Sequence, residues 1–171
     1  QACSEEIIPA LVELIAAADH SNRRLMHALW FDLPDISVTP LLDAFNQAEN
    51  VSAQENLIET IASIIHTNAV NPRLNHQLQS PALNESMLSA LYHSSSEVRV
   101  SAVTALANLA DPEFVTPITT AIRNEPLPPP VSSSPQQPTA SISPRAYMAQ
   151  VLAYSPIAFI AVPEILDLIQ T

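Results

Sequence analysis

The sequence predicts an all-α chain of successive helical hairpins. Three observations predict it. Prolines stand near the start of apolar helical patterns in Ile8-Pro9-Ala10-Leu11, Thr39-Pro40-Leu41-Leu42, Thr116-Pro117-Ile118-Thr119 and Val162-Pro163-Glu164-Ile165. The stretch from Ser95 to Pro117 reads as one helix ending and the next beginning, with Val98, Ala102, Ala105, Leu106 and Leu109 on one face. The chain also contains no Gly, which argues against hairpin-rich β folds that need positive φ at many turns.

The elements follow in order. Proline is tolerated in a first turn because the N–H groups there have no helical acceptor. Two and five residues after each proline come Leu11 and Leu14, Leu42 and Phe45, Thr119 and Ile122, Ile165 and Leu168, with Thr119 the one departure from an apolar choice. Ser80-Pro81 starts the equivalent helix of a middle unit, running to about 93. Asp111-Pro112 supplies an N-cap and a first-turn proline, and a short turn broken before Pro117 reconciles the two starts. The second helices are predicted over 22–33, 53–65, 97–110 and 144–154, and a fifth first helix over 163–170 has no partner. The polar stretch 66–80 is expected to be a loop between units. Without Gly, the helix ends are expected to use Asp19-His20-Ser21, Asn50 and Asn68.

The chain reads as a single domain over 1–171 with a Pro/Ser-rich insert at 126–144. One helix pair cannot hide both of its apolar faces, so each pair must stack on the next. Four pairs plus a terminal helix form an α-solenoid, a superhelix of stacked hairpins.

Glu97-Val98-Arg99, Ala102, Ala105-Leu106, Asp111-Pro112-Glu113 and Val115-Thr116-Pro117 make this pattern resemble the HEAT-repeat (armadillo-like) family. Pro144-Arg145, Met148 and Val151-Leu152 match more loosely. Units one and two match mainly in the proline helix, and the glycine common in the family after its second helix is missing. The resemblance implies about four HEAT-like repeats whose second helices line a concave face. Aligned on Leu29, Ile61, Leu106 and Leu152, that face carries Arg24, His27 and Phe31, then Asn56, Glu59 and Ser63, then Ser101, Thr104 and Asn108, then Tyr147, Gln150 and Tyr154. Phe31, Tyr147 and Tyr154 are the expected anchors, since aromatic side chains dominate interface energetics. Trp30 is expected in the core. Arg99 is expected to bond turn carbonyls or an acidic neighbour.

Composition narrows the function. Apolar residues make up 47% of the 171, enough for a substantial core. The net charge of −11, with six Arg and no Lys, opposes binding to nucleic acid, and to anionic membrane surfaces. It suits a protein partner with a basic surface. The longest apolar run, 157–162, is too short to span a membrane. No two of His20, His27, His66, His76 and His93 are four residues apart, and no His-Glu dipeptide occurs. This departs from the HEAT-like di-iron hydroxylases, and the shortage of basic residues departs from the HEAT-like DNA glycosylases. A Gly-framed nucleophile elbow is impossible, and Cys3 has no basic neighbour in sequence. Glu5-Glu6 complement a helix N-terminus.

The expectation is therefore a non-catalytic interaction scaffold with no catalytic residue, metal or cofactor. The enzyme alternative on the same scaffold is a chromophore-handling protein of the bilin lyase type. Ala2-Cys3 resembles a bacterial lipoprotein cleavage site without its preceding apolar segment, so a soluble cytoplasmic chain is favoured over a processed exported one. The unpartnered helix 163–170 is apolar on more than one side. Either the chain continues beyond it or this edge self-associates.

Overall fold

The computed structural model describes residues 2–19, 22, 38–69, 78, 80–126 and 142–170. Among them all regular structure is helical: α1 (Ala2–Ala16), α2 (Thr39–Gln47), α3 (Val51–Ala69), α4 (Pro81–Ala90), α5 (Ser96–Leu109), a 3-10 turn (Pro112–Phe114), α6 (Val115–Asn124), α7 (Pro144–Tyr154) and α8 (Val162–Gln170). Apart from Asn22, the predicted helix over 22–33, with Arg24, His27, Trp30 and Phe31, lies outside the described residues, as does most of the insert.

The helix starts have local causes. Pro40, Pro81 and Pro144 sit in the first turns of α2, α4 and α7. The Asn50 Oδ1 accepts from the Ser52 amide at 2.9 Å, and the Ser143 hydroxyl accepts from the Ala146 amide at 3.2 Å. Ser95 caps α5 by accepting from the Val98 amide, and Asp111 caps the 3-10 turn by accepting from Glu113. Each such cap contributes about 1 kcal/mol. The 3-10 turn before α6 reconciles Pro112 with Pro117, which falls in the first turn of α6. Thr119 is buried, and its hydroxyl donates to the carbonyls of Val115 and Thr116, so a polar residue sits in that core without an unpaired donor.

Three expectations need correction. Helix α1 begins at Ala2, so Pro9 lies inside it. The proline removes one ladder bond, to the Glu5 carbonyl, and the helix passes through that single gap. Helix α3 extends to Ala69, so the supposed loop beginning at His66 starts as helix. Among the described residues only Ala110 has positive φ, at 61°. Helices α2, α6 and α7 leave through extended Ala48, Glu125 and Ser155, which need no left-handed residue. Asn50 caps the start of α3 instead of ending α2, and Asn68 lies within α3, donating to the Ile64 carbonyl.

Packing follows chain order. The α3–α5 contact is the most extensive, and α5 also packs on α4, α6 and α7. Helix α1 packs on α3 and α2, α2 on α3 and α4, and α8 on α6 and α7. Leu57, Ile58, Ile61 and Ile65 of α3 meet Val98, Ala102, Ala105 and Leu106 of α5 in one core cluster. Val103 and Ala107, off the predicted face of α5, are buried as well, because α5 has neighbours on several sides. Small residues there let the helices approach closely.

Side-chain pairs fix the directions. Glu55 meets Ser95 at one end of the α3–α5 pair and His66 meets Asn108 at the other, so the two helices run parallel. Glu125, at the end of α6, reaches Arg99 in the first turn of α5, so α5 and α6 run antiparallel. Arg123 of α6 pairs with Asp167 in the second half of α8.

Candidate functional site

Helix α5 presents to solvent the one face its neighbours do not cover. Glu97, Val100, Ser101, Thr104 and Asn108 recur there at helical spacing and form the floor of a groove. Glu55, Glu59, Ala62, Ser63 and His66 of α3 make one wall. Tyr147, Gln150, Val151, Tyr154 and Ser155, from α7 and the turn after it, make the other. The open cavity holds about 640 Å³.

Of the residues expected on a shared face, Glu59, Ser63, Ser101, Thr104, Asn108, Tyr147, Gln150 and Tyr154 line this groove. Asn56 does not. It is 1% exposed, and its amide nitrogen donates to the carbonyls of Ala16 and Ala18 at 3.2 and 2.8 Å. It closes the C-terminal end of α1, so it cannot meet a partner. Arg24, His27 and Phe31 lie outside the described residues. Sequence reasoning missed Glu55, His66, Glu97, Val100 and Val151. The signal was present: Glu55 precedes Glu59 by one turn, as Glu97 precedes Ser101, and each pair shares a helix face.

The two ends of the groove differ chemically. At one end Glu55 and Glu97 converge on Ser95, whose oxygen lies 2.8 Å from Glu55 Oε1 and 3.1 Å from Glu97 Oε2. The Ser95 hydroxyl has one proton for two carboxylates. The Glu97 carboxyl is held below its ordinary value, first by its own backbone amide at the open start of α5. The Ser96 and Ser95 hydroxyls and the Arg99 charge act in the same direction, against partial burial. At the other end Asn108 donates its amide to the Thr104 carbonyl, which leaves its oxygen to accept from His66 Nδ1 at 3.1 Å. Tyr147 is partly exposed and Tyr154 is 84% exposed.

Arg99 fulfils the role expected of it. It pairs with Glu125 and donates Nη1 to the carbonyls of His93 and Ser94 at 2.6 and 2.9 Å. Among the described residues no group of three or more His, Cys, Asp or Glu could hold a metal ion. No described helix is long and apolar enough to cross a membrane. On α8, Ile165 and Leu168 pack against the core, while Val162 and Leu166 are exposed, as is Phe159 in the preceding turn at 90%.

No family model, curated protein or solved structure matches the chain.

Proposed function

We propose that this chain is a protein-interaction module of the HEAT-like α-solenoid type, which receives a segment of a partner protein in the groove between α3, α5 and α7. The observation that carries this reading is the groove itself. Three helices contribute side chains at i, i+3 or i+4 and i+7 to one continuous surface, with hydrogen-bonding groups on the floor and tyrosines on a wall. Packing in chain order and the parallel α3–α5 pair support the repeat architecture.

The experiment is a peptide-display selection against the chain, followed by calorimetry of the enriched peptides. Ser101→Trp fills the floor at a half-buried position. It is expected to abolish binding while leaving the melting curve and the helical circular-dichroism spectrum in place. Selected peptides that bind this folded variant as well as the parent would overturn the reading.

A further inference from the structure

We infer that the segment taken by the groove is extended and chemically polarised. A basic side chain sits against Glu55 and Glu97, and an apolar or aromatic side chain lies on Tyr154. This rests on the groove reading above and specifies its occupant.

The parallel register of α3 and α5 places Glu55 and Glu97 at the same end, joined through Ser95. No Arg or Lys is among the described residues lining the groove. Arg99, in the first turn of α5, is engaged by Glu125 and two carbonyls. A chain of net charge −11 adds a long-range field of the same sign. The acidic end therefore complements a Lys or Arg side chain.

Tyr154 belongs to the opposite end. Helix α6 runs antiparallel to α5, and Arg123 joins the second halves of α6 and α8. Stacked hairpins set alternate helices in the same sense, as α3 and α5 are, so α7, which packs along α5, carries Tyr154 and the turn after it toward the Asn108 end. Between Glu97 and Asn108 the floor spans about 16 Å at 1.5 Å per residue. An extended segment covers that length in about five residues. The hydroxyl, amide and imidazole groups of Ser101, Thr104, Gln150 and His66 can bond its backbone on the way.

The test uses fluorescein-labelled octapeptides in anisotropy titrations at two salt concentrations. One carries two arginines first and two leucines last. The second has the reverse order. In the third and fourth, glutamates replace the arginines. One arginine peptide is expected to bind at least about tenfold tighter than its glutamate counterpart and than its reversed isomer, with affinity falling as salt rises. Glu55→Gln with Glu97→Gln should remove about tenfold of that affinity and flatten the salt response. Glu97→Gln alone, at an exposed position, should give a smaller loss in the same direction and guards against misfolding of the double variant. Equal binding of arginine and glutamate peptides, of the two arginine orders, or of parent and double variant, overturns the inference. If display-selected peptides still need an open Ser101 floor in that case, the groove reading survives without it. If they do not, both fall.

Discussion

Arg99 grips Glu125 with two parallel hydrogen bonds, Nε to Oε2 at 2.6 Å and Nη2 to Oε1 at 2.7 Å. The pair ties the start of α5 to the end of α6, and it is largely buried, with side-chain exposures of 15% and 3%. The remaining Arg99 donors close the α4–α5 turn at His93 and Ser94. His93 in turn accepts from the Ser95 amide at Nδ1 and donates from Nε2 to Gln54. Gln54 donates to the Ala48 carbonyl. A continuous polar seam thus joins the α2–α3 turn, the α4–α5 turn and the exit of α6.

Removing Arg99 leaves a buried carboxylate without its cation. Arg99→Ala is expected to cost about 3 kcal/mol in urea denaturation, near the lower end for a broken buried pair. Glu125→Ala should cost less, because Arg99 keeps its carbonyl partners. The double variant should lose less than the sum, with a coupling of about 1 kcal/mol or more. Additive losses would mean the pair is not a unit.

Ala110 ends α5 in the left-handed region at φ 61° and ψ 25°. A side chain with a Cβ costs about 1 kcal/mol there, partly offset by the greater unfolded-state freedom of Gly. Ala110→Gly should therefore stabilise the chain by about 0.5 kcal/mol, and Ala110→Val should destabilise it. The urea midpoints of the two variants check this. A lowered midpoint for the glycine variant would contradict the assigned backbone.

These sites explain what the sequence could disclose. The helix starts at Pro81 and Pro144 were readable because a first-turn proline is a local signal that depends on no distant residue. Pro9 misled because a helix can pass through one missing donor, and nothing nearby in sequence says that it does. Ser101, Thr104 and Asn108 of α5 and Tyr147, Gln150 and Tyr154 of α7 were readable because the resemblance singled out one face and helical spacing then placed them on it, while their neighbours Glu97, Val100 and Val151 were passed over. The burial of Asn56 was not readable, because it depends on the carbonyls of Ala16 and Ala18, about forty residues away. The Arg99–Glu125 pair was half readable. An acidic partner or turn carbonyls could be expected from the turn, but the choice of Glu125 needed the antiparallel return of α6.

The Glu97 carboxyl titrates below its ordinary value of 4.5 in the folded chain. A depressed acid favours the folded state above 4.5 and loses that contribution as pH falls through its lower folded value. The stability difference between the parent and Glu97→Gln should thus be constant near neutrality and shrink as pH drops below 4.5. Chemical denaturation across that window measures it. A difference that grows on acidification would reverse the sign of the interaction.

Leu106 is fully buried in the seam that α5 shares with its neighbours. Leu106→Ala should cost about 2–5 kcal/mol through lost transfer energy and the cavity left behind. Leu106→Asp adds an unpaired charge to that interior and should leave little folded protein at room temperature. Circular dichroism during thermal melting separates the two. A melting temperature unchanged by the aspartate would show that the seam lies elsewhere.

Tyr154 offers the sharpest separation of stability from binding. Its ring is mostly in solvent, so Tyr154→Ala should change folding stability by no more than about 0.5 kcal/mol. Met148 and Leu152 on the buried side of α7 keep that helix in place without it. If the ring is an anchor, its loss should weaken the best display-selected peptide by about 2 kcal/mol, mainly through faster dissociation. Tyr147→Ala, less exposed and further from the turn, should weaken binding by a smaller amount and cost more stability. Calorimetric titrations beside melting curves of both variants make the comparison, and equal peptide affinities for parent and Tyr154→Ala would remove this tyrosine from the binding surface.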